Sequence, residues 1–338
     1  MKAIVLREFG GPEVLRLEEM PTPEPAPGEL VFRVHAVSVN RTLDLSARAG
    51  EYDPAIRLPH ILGVDPSGVV SSIGEGVTDR KVGDRVVAIP WRTQAVGPLQ
   101  SVGRQRPGGY ADYVAIPAAA TVLVPEGLEF AAATLVARHT PQAFSLLRDR
   151  AQVKAGETVL VMGASGGLGS AGVQIARLLG AKVIAGAGAP DRVQAALDLG
   201  AEQGVDYRRQ PLAETVLALT EGRGVDVVFD NIGDPELFPQ AVAALARHGR
   251  LVTAGSHGGP GEVALDVRRL YLYQLSILGG LGFSTADVEA SLKAAAEGRL
   301  KVLIDQVLPL ASAAEAHRRV GGREGLGKVI LDPTLPPD

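Results

Sequence analysis

The residues best suited to chemistry lie between Thr158 and Gly180, in the run TVLVMGASGGLGSAGVQIARLLG. Val159–Met162 is a short apolar run of the kind that forms a buried strand. It breaks into Gly163-Ala164-Ser165-Gly166-Gly167-Leu168-Gly169. Apolar residues then recur at helical spacing through Val173, Ile175, Ala176 and Leu179 until Gly180. Strand, glycine turn and helix in that order open a dinucleotide-binding βαβ unit, where a lone glycine pattern would be an ordinary αβ turn. The glycines let a pyrophosphate approach the backbone, and the helix start offers free N–H groups and the positive end of its dipole. Ser165, Gly166, Gly167 and Leu168 are therefore predicted to hold the pyrophosphate.

Selectivity between dinucleotides should be written at the end of the next strand. NAD-selective enzymes place an acid there, about 20 residues past the glycines, to bind the ribose 2′-OH. This strand ends Ile184-Ala185-Gly186-Ala187-Gly188-Ala189, with no acid and with room for a 2′-phosphate. Arg192 lies just beyond, and a guanidinium suits a phosphate dianion; its alternative is a solvated helix charge. Asp191 competes by distance, but Pro190 separates it from the strand and an Asp there reads as a helix cap. NADPH is the predicted cofactor. Ligands of open α/β sheets bind at the carboxyl ends of the strands. Asn231 after the fourth strand, Gly255 and Ser256 after the fifth, and Leu281 and Phe283 after the sixth are thus expected on the nicotinamide side. Asn231 is one of two asparagines in the chain, which favours function over a simple turn residue.

These groups need elements to carry them. At 338 residues the chain should form two domains, and 46% hydrophobic against 21% charged residues marks a globular protein. A net charge of −4 gives no reason to expect nucleic acid, and the absence of cysteine excludes disulfides, thiolate nucleophiles and cysteine-held metals. The apolar run in MKAIVLREFGG is too short for a signal peptide, and no stretch approaches the ~20 apolar residues of a membrane span. A soluble cytoplasmic protein is expected. Residues 1–124 alternate short strands with Gly and Pro punctuation, as in a small β-barrel or sandwich. Residues 125–299 begin with a helical stretch, Glu129–Arg150, interrupted near Pro141, and continue as a six-stranded α/β alternation. The last strands, Val302–Leu308 and Lys328–Leu331, suit the β-domain, which is then discontinuous and completed by residues 300–338. The fold class is α/β, a Rossmann doubly wound parallel sheet plus a β-barrel domain.

Three further stretches carry a resemblance. They are LPHILGVDPSGVVSSIGEGVTDRKVGDRV (Leu58–Val86), GGYADYVAIP (Gly108–Pro117) and GKVILDP (Gly327–Pro333). With the glycine turn, they resemble the medium-chain dehydrogenase/reductase superfamily over nearly the whole chain, in its zinc-free, zeta-crystallin-like quinone oxidoreductase branch. The resemblance implies that the first domain is GroES-like. It also implies departures from the zinc-dependent alcohol dehydrogenases. Asn40 stands where those carry a cysteine, and Gly63-Val64-Asp65 where they carry Gly-His-Glu. Trp91–Arg106 replaces a four-cysteine lobe, and the six histidines show no ligand spacing. No metal is expected, and without a Lewis acid hydride transfer to a conjugated acceptor is favoured over alcohol oxidation.

The resemblance also implies site residues. Thr140 matches a threonine near the nicotinamide ring, Tyr207 a tyrosine flanking the 2′-phosphate, and Lys328 a lysine on cofactor phosphate or ribose. Asn40 and Tyr52 match positions bordering the acceptor, which would enter between the domains. Asn40 could hydrogen-bond an acceptor carbonyl, and Tyr52 could donate to the oxygen that gains charge. Plain alternatives are a solvated Lys328, a strand-end turn at Asn40 and an exposed loop aromatic at Tyr52. Asp44 reads as a cap or turn acid. The leading function is an NADPH-dependent quinone reductase. The alternatives are an alkenal, enone or enoyl-thioester reductase, or an NADPH-binding structural or RNA-binding protein of slight activity. RNA is disfavoured by net acidity and the lack of a recognition motif. An apolar sixth strand, LSILGGL, predicts a homodimer through the Rossmann edge.

Overall fold

The computed structural model describes residues 1–51, 56–92, 99–255 and 261–336. Tyr52, Ser256 and residues 93–98 lie outside the described residues. The chain divides into two compact units. The first comprises Met1–Arg138, Val288–Arg299 and Ile304–Asp338; the second comprises His139–Asp287 and Leu300–Leu303. The first unit runs past the composition change at Pro125 because the start of the next helix packs onto it. Thr134 and Ser67 hydroxyls meet at 2.8 Å, and Ser67 Oγ also donates to the Phe130 carbonyl.

In the first unit, Lys2–Leu6 and Leu15–Glu19 form an antiparallel hairpin. The main sheet runs in the order Ile304–Pro309, Lys328–Asp332, Glu29–Ser38, Ser67–Ile73, Arg85–Ala88 and Thr121–Leu123, with Tyr113–Pro117 also pairing with Glu29–Ser38. Most of Glu29–Ser38 is buried on both faces: Leu30, Phe32 and Val34 on one and Val31 and Val37 on the other, with Arg33 exposed. Leu30, Phe32 and Val34 join Ile4, Leu6, Val70, Ile116 and Leu331 in one core. C-terminal residues thus complete the N-terminal sheet, as the sequence pattern predicts.

A buried triad also ties the C-terminal segment into this unit. His317, on the helix Ala313–Gly322, lies 3.2 Å through Nδ1 from Arg48 Nη1 and 3.1 Å through Nε2 from the Tyr110 hydroxyl. Arginine only donates, so Nδ1 accepts and the neutral ring carries its proton on Nε2, which donates to Tyr110. Burial, reinforced by the Arg48 charge, pushes His317 down from 6.5 to about 3. The unfolded chain then binds a proton that the folded chain refuses. The stability held above pH 6.5 should fall by roughly 1 kcal/mol per pH unit between 6.5 and about 3. Urea unfolding at pH 7, 6 and 5 should show this slope, and His317→Gln should flatten it; equal slopes in both proteins would refute the assignment.

The second unit is a six-stranded parallel sheet in the order Gln203–Asp206, Lys182–Ala187, Thr158–Met162, Val225–Asp230, Leu245–Thr253 and Ser276–Gly279. Counted along the chain this is 3-2-1-4-5-6, the doubly wound dinucleotide-binding order. Three boundaries differ from the sequence pattern. The helix Phe130–Phe144 continues through Pro141 because Thr140, Pro141, Gln142 and Ala143 are all buried, and packing offsets the lost hydrogen bond. It then widens over Ser145–Arg150, where the Ala151 amide donates five residues back to Leu146. The helix Leu237–Ala243 stops early, since a bulge lets Val225 pair with Leu245 before Val227 pairs with Arg250.

Candidate functional site

The glycine turn is built by backbone contact. Gly163 turns with φ 64°, and the helix Gly167–Leu178 starts after Gly166 with no side chain capping its first N–H groups. A Cβ on Gly169 would lie 2.0 Å from the Gly163 carbonyl oxygen, and one on Gly167 would lie 2.4 Å from His139 Nε2. A Cβ on Gly166 would meet only that same Gly163 oxygen, at 3.3 Å, and Gly166 is exposed. Uncapped N–H groups beside an open glycine suit a pyrophosphate. Ser165 is buried in this turn, and Leu168 is half-buried in the first helical turn.

At the adenosine end, the strand Lys182–Ala187 finishes in buried Ala187 and half-buried Gly188. A Cβ on Gly188 would lie 3.0 Å from the Tyr207 ring, 3.2 Å from its hydroxyl and 3.3 Å from Arg208 Nε. Tyr207 thus flanks the strand end, and Arg208 joins it, a cation the sequence reading passed over although the doublet Arg208-Arg209 follows Tyr207 directly. Arg192 is half-buried in the next helix. Asp191 is not a cap: Pro190, with its preset φ, takes the first helical position after Ala189, and Asp191 stands exposed in the first turn.

At the other end, Asp230 organises the turn after its strand. Its carboxylate accepts the Ile232 and Gly233 amides and the Thr253 hydroxyl, although burial pushes its pKa up. Asn231 is buried and its Nδ2 donates to the Met162 carbonyl, linking the fourth strand end to the glycine-turn strand. Gly255 passes so close that a Cβ would lie 2.1 Å from the Asn231 carbonyl oxygen. Thr140 is buried, Phe283 half-buried and Leu281 78% exposed.

In the first unit, Asn40 and Lys328 meet in a buried charged cluster. Pairing of Ile330 with Ser38, extended by the Val39 amide donating to Val329, sets the register that brings Lys328 beside Asn40. Lys328 Nζ donates to the Val39 carbonyl at 2.6 Å and to Asn40 Oδ1 at 2.8 Å. Asn40 Nδ2 lies 3.1 Å from both Asp65 Oδ2 and Ser38 Oγ. Asp65 also accepts the Ser38 amide and hydroxyl. Asp44, fully buried, accepts the Asn40 amide at 2.7 Å and the Gly63 amide at 3.1 Å. Burial and the Asp65 charge push Asp44 up, while burial pushes Lys328 down against the pull of both carboxylates.

This arrangement keeps one expectation and revises two. Asp44 is a turn acid as expected, accepting the amide of Asn40 at the start of the turn Arg41–Leu45, and it is also buried and staples that turn to Gly63. Both Nδ2 hydrogens of Asn40 are engaged internally, so it has no donor left for an acceptor carbonyl. Lys328 is bound to the Asn40 segment. Sequence reading missed the cluster because its members span positions 38 to 328. Nor do these residues fit zinc. Among the described residues no three His, Cys, Asp or Glu side chains group to hold a metal, and both carboxylates are occupied by N–H and O–H donors.

Fold and glycine turn together define a nicotinamide-dependent oxidoreductase of the medium-chain dehydrogenase/reductase superfamily, to which the chain belongs. An alcohol dehydrogenase GroES-like domain model matches residues 26–126, and a zinc-binding dehydrogenase model matches residues 167–297. Within the superfamily the chain sits with the quinone oxidoreductases. Human quinone oxidoreductase is 32% identical, over 98% of this chain and 97% of the relative. A solved mycobacterial quinone oxidoreductase is 31% identical with TM-score 0.83, over 98% of this chain and 100% of that one. A solved NAD-dependent alcohol dehydrogenase is 38% identical with TM-score 0.91, over 98% and 99%. Among the described residues no helix is long and apolar enough to cross a membrane.

Proposed function

We propose that the protein reduces quinone-type conjugated carbonyl compounds with NADPH and without zinc, in the cytoplasm. When bound, the nicotinamide supplies hydride. The chain holds the pyrophosphate at Ser165–Leu168 and the 2′-phosphate among Arg192, Tyr207 and Arg208. Thr140, Asn231, Gly255, Ser256, Leu281 and Phe283 surround the nicotinamide half. Near the acceptor, Asn40 is a wall held by Lys328, and Tyr52 is the candidate donor to the oxygen that gains charge. The observation that carries this reading is the Ser38–Asn40–Asp44–Asp65–Lys328 cluster: Asn40 stands where the resemblance places a zinc-binding cysteine and Asp65 in place of the Glu of Gly-His-Glu, and both are engaged with Ser38, Lys328 and each other. Quinones accept hydride without a Lewis acid, so positioning suffices.

The acid-free strand end supports NADPH, against the NAD named for one structural neighbour. Steady-state rates with a 1,4-quinone should give a kcat/KM about tenfold or more higher for NADPH than NADH, the effect of one charge-assisted contact to the 2′-phosphate. A lower KM for NADH at similar turnover would overturn the preference. Turnover of 2-alkenals with none of quinones would move the acceptor class, and tight binding without turnover would make the protein a dinucleotide binder. The edge strand Ser276–Gly279, with Tyr271 and Leu281 exposed nearby in sequence, supports a homodimer, which a monomer mass by light scattering would refute.

A further inference from the structure

Gln142 carries a polar group that the reading above leaves unused. Its side-chain oxygen accepts the Gly282 amide at 3.0 Å. An amide N–H can only donate, so this bond fixes which end of the Gln142 side chain is oxygen and which is nitrogen. The nitrogen Nε2 is then buried with no hydrogen-bond partner among the described residues, on a residue only 8% exposed. A buried donor left unmatched is costly, and interiors rarely keep one without a use.

Its surroundings say what the use is. One helical turn before Gln142, the His139 ring lies against Gly167 at the start of the glycine-turn helix. At its other end, Gln142 holds Gly282, three residues past the carboxyl end of the sixth strand, Ser276–Gly279. In the observed order the sheet runs from Gln203–Asp206 at one edge to Ser276–Gly279 at the other. The acid-free strand and Tyr207 take the adenosine half, so the sixth-strand side belongs to the nicotinamide half. The nicotinamide end of the dinucleotide carries one strong neutral acceptor, its carboxamide oxygen.

We propose that Gln142 Nε2 donates a hydrogen bond to the nicotinamide carboxamide oxygen of the bound dinucleotide. Gln142 then does two things with one side chain. Its oxygen fixes the Leu281–Phe283 segment, and its nitrogen sets the rotation of the carboxamide and of the ring that bears it. This rests on the nicotinamide chemistry of the family and not on the choice between NADPH and NADH.

The test separates the two ends of the side chain and the two ends of the ligand. Gln142→Glu keeps an acceptor for Gly282 and removes the donor; Gln142→Met removes both at similar length. Calorimetric affinities would be measured for the oxidised dinucleotide that the wild type binds more tightly. The matching nicotinamide-free fragment, ADP-ribose or its 2′-phosphate, would be measured alongside. Both variants should bind the dinucleotide about tenfold more weakly and the fragment unchanged. Equal weakening of dinucleotide and fragment would make Gln142 a purely structural residue. No weakening of either would mean that Nε2 stays buried out of reach of the dinucleotide, and both results overturn the proposal. A wild type that binds the fragment as tightly as the dinucleotide would overturn it too. A wild type that binds neither dinucleotide would instead defeat the nicotinamide reading itself, which the wild-type titration alone reports.

Discussion

Replacing Gly169 by alanine is expected to abolish dinucleotide binding and destabilise the second unit, whereas the same change at Gly166 should abolish binding alone. The two glycines sit three residues apart in one turn, but their surroundings differ. At Gly169 the new methyl would fall 2.0 Å from the Gly163 carbonyl oxygen and 2.9 Å from the Ala164 Cα. Both obstacles are backbone, so the strand end and the helix must separate, and overpacking of this kind costs about 1–3 kcal/mol or more. Any separation also moves the helix N–H groups off the pyrophosphate. At Gly166 the backbone is extended, with φ −75° and ψ 171°, a conformation alanine adopts freely, and the nearest fixed atom is 3.3 Å away. There the methyl would stand where the pyrophosphate should approach. Melting temperature and NADPH affinity, measured on both variants, should separate the two effects. A Gly169→Ala protein with wild-type melting temperature and affinity would show that the turn is not the tight contact described here.

What was legible in the chain follows from the distance between cause and consequence. The glycine turn could be read because strand, turn and helix are contiguous, and its tightest contact, Gly169 against the Gly163 carbonyl, lies within the same stretch; only His139 beside Gly167 and Asn231 and Ile232 beside Gly163 come from elsewhere. The acid-free end of Lys182–Ala187 was equally local. The return of the last strands to the β-domain was expected, but not the pairing of Lys328–Asp332 with Glu29–Ser38. Nor was its chemical result. That register sets an ammonium beside Asn40, and Asp44 and Asp65 come from two other segments. Taken one at a time, Asn40 read as an acceptor-side amide or a turn residue, Asp44 as a cap or turn acid, Asp65 as part of a lost zinc motif and Lys328 as a cofactor lysine. Only the sheet makes them one object. Pro141 misled for a related reason: its local rule is to break helices, but burial of the residues around it outweighs that rule.

Lys328 is where removing one atom group should cost the first unit most. Its ammonium is bonded within a cluster that contains two buried carboxylates, Asp44 and Asp65. In Lys328→Met the methionine chain fills most of the same space, but the two carboxylates lose their counter-charge and Asn40 Oδ1 and the Val39 carbonyl lose their donor. Lys328 acts on both carboxylates through space and not through a direct ion pair, so its loss should cost about 3 kcal/mol, the low end for breaking a buried pair, because the charges left behind remain desolvated. Adding Asp65→Asn removes one of the stranded charges, so the double variant should unfold at a higher urea concentration than Lys328→Met alone. A coupling of about 1 kcal/mol or more in the double-mutant cycle is expected. Lys328→Arg keeps the charge and should lie between wild type and Lys328→Met. If Lys328→Met instead stayed within about 0.5 kcal/mol of wild type, the range of an ordinary surface change, the ammonium would be solvated and the cluster would not be held by its charge.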